Sequence, residues 1–306
     1  MDDPLERFFD RRYVPQWLVG GGVLLLVISA FVWWTQVYEN PYNVYWDMFA
    51  NSLKVSSVTK HVTETSGGTE LNQYITLDFG TSNLAYGRTV LKDTASTVTT
   101  ESIGTLTSDY VRYTGITTSQ KDSKGRRLRF ASVLDKWAKA PAANTSDQSV
   151  SAPFFVQVLL GFSGGNLVPM ADLPVQARQS LVQQLHQNVI FNTSFHDVKI
   201  QKVGGRTAYV YSVAIEPVAY VAFEKNVATD LGLKALQNVD PNNYEGQPAV
   251  HVTFSIDVRS HRLVAIGYPG TNHTETYDSY GVPARVTIPA ATISDAKLQS
   301  LLGAIQ

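Results

Sequence analysis

The segment Gly161-Phe162-Ser163-Gly164-Gly165 carries the one spacing in this chain that belongs to a reactive group, G-x-S-x-G. In a nucleophile elbow that pattern holds a serine on a sharp strand-to-helix turn, with an acid and a histidine following later in the chain. His186, His196, His251, His261 and His273 all follow, so chain order permits a serine hydrolase using Ser163 as a remote alternative. The surroundings argue against it. Asn166-Leu167-Val168-Pro169 does not open a helix, and no parallel strand–helix–strand unit surrounds the motif. We read the segment as a Gly/Ser turn after an apolar run.

Other chemistry is sparse. The six histidines include no H-E-x-x-H or comparable metal spacing, and Asp109 and Glu216 have no recognisable partner carboxylate. The chain has no cysteine, which removes disulfides, thiolate metal sites, a thiol nucleophile and a lipidated cysteine together. The expectation is a protein that binds rather than catalyses, with no cofactor and no metal. Lys121, Lys124, Arg126, Arg127 and Arg129 gather around Gly125. Such a run either meets anionic lipid headgroups or an acidic wall polymer, at about 1 kcal/mol per residue near a membrane surface, or forms a solvated hairpin loop. Charge runs are usually solvated, so the loop is preferred. A net charge of −1 with 17% charged residues argues against nucleic acid as a partner.

The elements that would position any site begin with a membrane anchor. Residues 17–34 are uncharged, with Trp17, Leu24, Leu25, Leu26, Phe31, Trp33 and Trp34 as its principal apolar contacts. Roughly 20 helical residues cover a hydrocarbon core of about 30 Å. Tyr13 and Trp17 at one end, and Trp33, Trp34 and Tyr38 at the other, mark the two headgroup interfaces. The run is too long for a cleaved signal peptide and lacks a small-residue cleavage site. Arg7, Arg11 and Arg12 precede it and the next basic residue is Lys54, which places the N-terminus in the cytoplasm. The sequence therefore predicts a cytoplasmic tail over 1–16, a transmembrane helix over 17–38 and an extracytoplasmic domain over 42–306, all on a single-pass protein of the cell membrane. Of 25 basic and 26 acidic residues, three and four lie in the first sixteen positions, so the rest is formally neutral. A cysteine-free exported domain favours a bacterial cell envelope.

Beyond the anchor, Asn40-Pro41 breaks the helix, and Tyr45, Phe49 and Leu53 share one face of an amphipathic helix over 42–56. Residues 58–116 read as Thr- and Ser-rich strands punctuated by glycine. Asp172-Leu173-Pro174 predicts a helix start, followed by a stripe of Ala177, Leu181 and Leu185. Gly204-Gly205 predicts a hairpin turn, and residues 217–237 a helix. Val250, Val252, Phe254, Ile256 and Val258 alternate with polar neighbours in the clearest strand of the chain. Further strands are expected over 262–268, 273–280 and 284–288, then a short helix capped by Ser294. Residues 140–152 read as a loop. Strands broken by a few helices, without βαβ alternation, make an α+β fold with one large sheet.

Five motifs stand out: the Ser-rich exit of the first helix at Ser52-Leu53, Asp109-Tyr110-Val111-Arg112, Lys136-Trp137, the hairpin Gly204-Gly205-Arg206-Thr207-Ala208-Tyr209, and the closing Tyr280-Gly281-Val282-Pro283 with Pro289. Together they resemble the LolA/LppX-like envelope proteins, among them the LppX and LprG lipoproteins. The resemblance spans roughly residues 42–302. It implies a curved antiparallel sheet, a half-barrel covered by helices, that holds acyl chains or lipoproteins. This chain has a membrane helix where those lipoproteins have a lipidated cysteine, which suits a resident receptor better than a shuttling carrier. Two functions follow as expectations. One is a membrane-anchored binding protein holding a lipid or other hydrophobic ligand between sheet and helices. The alternative is an envelope protein-interaction or sensing module of the same fold with a filled core.

Overall fold

The computed structural model describes residues 14–80, 83–142, 152–161 and 164–305, with the main chain alone for 14–22 and 141. A long helix, α1 (Val14–Trp33), runs without a break into one π-helical stretch, Trp34–Tyr38. Asn40 then stops it. The Asn40 side chain accepts the Tyr42 amide at 2.9 Å, and Pro41 stands in the first turn of α2 (Pro41–Ser52). Both are N-terminal signals, one satisfying an orphan amide and the other lacking one.

After α2 come five long strands: β1 (Ser57–Ser66), β2 (Thr69–Asp78), β3 (Leu84–Lys92), β4 (Ser96–Gly104) and β5 (Ser108–Thr118). They form an antiparallel meander. Its turns are built from local chemistry. Gly67 and Gly68 supply positive φ at the first, and Asp93 accepts the Ala95 and Ser96 amides at another. The remaining elements are β6 (Ala138–Pro141), α3 (Phe154–Leu159), α4 (Val175–Gln187), β7 (Phe191–Thr193), β8 (Lys199–Val203), β9 (Arg206–Ile215), α5 (Pro217–Asp230), β10 (Val250–Asp257), β11 (Leu263–Gly267), β12 (His273–Asp278), β13 (Ile293–Ser294) and α6 (Asp295–Gly303).

All thirteen strands form one sheet, in the order β13-β6-β5-β4-β3-β2-β1-β12-β11-β10-β9-β7, with β8 also on β9. Only β13 and β6 pair in parallel. The class is α+β, as expected. The sheet is open and uncurled, whereas the resemblance implies a half-barrel.

One face carries the main core. Val58, Ile75, Leu77, Tyr211, Val213, Val252, Phe254 and Ile256 from the strands meet Tyr45, Met48 and Phe49 of α2, Phe155 of α3, Leu181 and Leu185 of α4, and Phe223 and Val227 of α5. Tyr45, Phe49, Phe155, Phe191, Tyr211, Phe223 and Phe254 are each at most 2% exposed. Aromatic side chains therefore occupy the space between sheet and helices where a lipid tail was expected.

Several local expectations shift. The fourth helix starts at Val175, two residues later than an Asp172 cap predicts, because Pro174 takes the N-cap position and the main chain at Asp172 pairs with that at Lys54 in an isolated β-bridge. The fifth ends at Asp230. Gly232, at φ +67°, closes it by donating to the Thr229 carbonyl, and Leu233 donates to that of Ala228. Residues 284–288 form no strand. With Pro283 and Pro289 at its ends, this segment crosses the outer face of the sheet over Tyr86, Ile103 and Trp137. Ser294 caps α6 by accepting the Lys297 amide at 3.2 Å.

Candidate binding surfaces

The junction of α1 with the domain is tightly built. Tyr38 stacks on Trp34 at 4.5 Å between centroids and on His261 at 4.2 Å, and its hydroxyl donates to the Arg259 carbonyl at 2.9 Å. The Tyr209 hydroxyl donates to the Glu39 carbonyl, that of Tyr211 to the Pro41 carbonyl, and the Asn43 amide to that of Val37. Asn51 holds the β10–β11 turn by donating to the His261 carbonyl, and Asp47 meets His261 Nδ1 at 2.9 Å. The helix therefore enters the domain at a fixed angle.

The anchor residues expected from sequence lie on α1 or just past it. Leu24, Leu25, Leu26, Phe31, Trp33 and Trp34 are 43–72% exposed, with no face among the described residues to cover them. Trp17 lies on α1, but its side chain is outside the described set. Among the residues searched, no single helix is long and apolar enough to cross a membrane. Val23–Tyr38 and Pro41–Ser52 pass only as a pair bent by 71°. The second member is not half of a span, since Val44, Tyr45, Met48 and Phe49 of α2 are core residues.

Two hollows flank the C-terminal end of α2. The first, of 340 Å³, adjoins the anchor exit and is lined by Tyr38, Asn51, Lys54, Ser260, Arg262 and Tyr280 among others. The second, of 640 Å³, is a groove between α2 and α4. Ala50, Val175 and Val182 give it an apolar floor, and Lys54, Arg178 and His186 are its only ionisable lining residues. Stacking on Trp46 at 3.7 Å fixes His186, and partial burial holds its pKa below the usual histidine range. Lys54 borders both hollows.

A third hollow, of 490 Å³, lies on the outer face under residues 282–287. Glu101 and Arg112 pair within it, and Arg285 also lines it. Arg112 donates to Glu101 at 2.6 and 2.9 Å and lies 4.6 Å from the Trp137 ring centre. The basic run 121–129 is a surface loop. Asp122 accepts the Arg126 guanidinium, and Lys121, Lys124, Arg126, Arg127 and Arg129 are all exposed. It follows the end of β5 in register with the Gly67-Gly68 turn, on the strand-end edge opposite the one α1 enters.

Ser163 lies outside the described residues. Beside it stand a helix, α3, and an irregular chain up to α4, where an elbow requires a strand before and a helix after. The neighbouring glycines have a packing role. A Cβ on Gly165 would sit 2.5 Å from the Gln157 carbonyl oxygen, and one on Gly161 would overlap the Tyr220 hydroxyl. Gly165 reaches the sheet through its carbonyl, which accepts from Lys60 at 3.1 Å. Lys60 is 3.5 Å from Glu275, and both are almost wholly buried. Glu275 also accepts from Tyr268 and Tyr277. Burial holds the Lys60 pKa below its ordinary value, opposed by the Glu275 charge, and pushes the Tyr277 hydroxyl well up. Sequence reading missed this cluster, because Lys60 and Glu275 are 215 positions apart and only the β1–β12 pairing joins them. Among the described residues no group of three His, Asp or Glu is arranged to hold a metal ion.

What these observations define is a helix-covered, open-sheet α+β domain rigidly joined to an exposed apolar helix. Among solved structures it is similar to LprF from Mycobacterium bovis, at 14% identity over 82% of this chain and 97% of that one, with a TM-score of 0.41. No family model matches the chain, and no curated protein does.

Proposed function

We propose that this is a resident, single-pass protein of a bacterial cell membrane, with its N-terminus in the cytoplasm. Its outward domain binds an amphipathic ligand on its surface rather than inside its core. The 20 residues of α1 reach about 30 Å at the usual helical rise, matching a hydrocarbon core. Arg7, Arg11 and Arg12 ahead of it set the orientation. The observation that carries the binding reading is the α2–α4 groove, with an apolar floor and only cationic or histidine groups among its ionisable lining. It suits an apolar chain bearing an anionic group, such as a lipid.

The test is native mass spectrometry of the full chain purified in detergent. Wild type is expected to carry a stoichiometric lipid, and Val182→Glu to lose it. Retention unchanged in that variant removes the groove from the reading. The filled core favours a second reading, a protein-interaction module held upright on its helix. A wild-type chain that folds cooperatively, carries no lipid and captures an envelope protein by in vivo crosslinking would select that reading.

A further inference from the structure

The 340 Å³ hollow at the anchor exit has a chemistry of its own. Its cations, Lys54 and Arg262, are both exposed, and neither forms an ion pair among the described residues. Arg262 lies over the Tyr280 ring at 5.0 Å, which fixes its plane while leaving the donor edge open. Asp172 is the β-bridge partner of Lys54, and two of the other nearby carboxylates are occupied. Asp47 meets His261, and Asp257 accepts the Arg259 and Ser260 amides and the Ser260 hydroxyl. Tyr38 and Asn51 form walls whose polar groups already bond the β10–β11 turn. The hollow is therefore pre-formed, and among the described residues Lys54 and Arg262 are the only Lys, Arg, Asp or Glu side chains that line it.

We propose that it holds the phosphate of an anionic phospholipid from the outer leaflet of the membrane that α1 crosses. The inference rests on that anchoring. Tyr38 ends the helical stretch that follows the membrane segment, so a hollow walled by Tyr38 opens at headgroup depth. A phosphodiester matches the planar donor fork of arginine, with the Lys54 ammonium as a second charge. The volume equals roughly eleven waters, enough for a phosphate and its glycerol but not for acyl chains. The chains stay in the bilayer, or one reaches the apolar groove that Lys54 also borders.

The test reconstitutes the full chain into nanodiscs of phosphatidylcholine and phosphatidylglycerol in equal parts. Native mass spectrometry then counts the lipids kept after the discs are disrupted. Wild type is expected to keep phosphatidylglycerol preferentially. Lys54→Gln and Arg262→Gln should each cut that preference about five-fold, the equivalent of about 1 kcal/mol per cation. Arg262→Lys should keep part of it, and Lys121→Gln with Lys124→Gln all of it. Both cations are exposed, so melting curves by circular dichroism should superimpose for every variant. No preference in wild type, or an undiminished one in the Lys54→Gln, Arg262→Gln double variant, overturns the proposal. A chain that fails to float with its vesicles overturns the anchoring itself, a separate readout. Inorganic phosphate that quenches tryptophan fluorescence in lipid-free detergent, and needs both cations to do so, assigns the hollow to a free anion instead.

Discussion

Asp109 shows how burial turns one side chain into a pH-sensitive joint. Its carboxylate accepts the Phe154 amide at 2.9 and 3.0 Å, tying β5 to the start of α3. Burial pushes its pKa up to about 6, against the lowering effect of that hydrogen bond. The unfolded chain releases the same proton near pH 4. Between those values the folded state binds the extra proton, so this residue's contribution to stability is greatest below pH 4 and is lost as pH rises through 6. Thermal melts of wild type should show that loss, and Asp109→Asn should flatten it. A second prediction concerns the Lys60–Glu275 pair. Lys60→Met leaves Glu275 buried without its cation, and urea denaturation should show a loss of about 3–5 kcal/mol. Adding Glu275→Leu to that variant should recover much of it. Neither role is legible from sequence. Asp109 stands out there as a carboxylate without a partner and as the first residue of Asp109-Tyr110-Val111-Arg112, neither of which signals its bond to Phe154, and Lys60 does not stand out at all.

At the scale of elements, periodicity made much of the fold readable. The strand at 250–257 alternates cleanly, with Val252, Phe254 and Ile256 in the core, and the Gly204-Gly205 turn joins β8 to β9 as expected. Alternation misled at 284–288, where a residue pattern suited to a strand met no partner edge and became a strap. Helix limits failed where a cap overrode the stripe, at Pro174 and Gly232. The helix-bearing face depends on close approach that no pattern announces. A Cβ on Gly104 would sit 2.6 Å from the Phe155 amide nitrogen, so that α3 could not lie on β4 as it does. Gly104→Ala should therefore destabilise the domain by about 1–3 kcal/mol in urea titrations. Gly125→Ser, in the exposed basic loop where nothing lies within 4 Å, should disturb only its own turn.

For the whole molecule, the decisive feature is how α1 is received. Tyr38 is legible in the sequence as an interfacial aromatic, but its packing on His261 brings together residues 223 positions apart, which no local pattern encodes. The same holds for the Lys54 and Arg262 hollow, which exists only because the β10–β11 turn returns to the end of α2. Fixed this way, the domain keeps a set angle to α1 rather than swinging on a linker. Tyr38→Ala should loosen it. Hydrogen exchange at 34–44 should quicken while the protection of β2 and β3, on the far side of β1 from the junction, stays as in wild type.

The strand order also governs the birth of the protein. β1 has β2 on one side and β12 on the other, so its second edge stays bare until residues 273–278 are made. On the exported, membrane-anchored reading proposed above, the five-strand meander would emerge outside the cell while most of the chain was still being translated. It would wait there, one edge open to any strand it met, until nearly the last tenth of the chain arrived. Translocation speed, and any chaperone that shields strand edges, should accordingly weigh more on the yield of this protein than its final stability does.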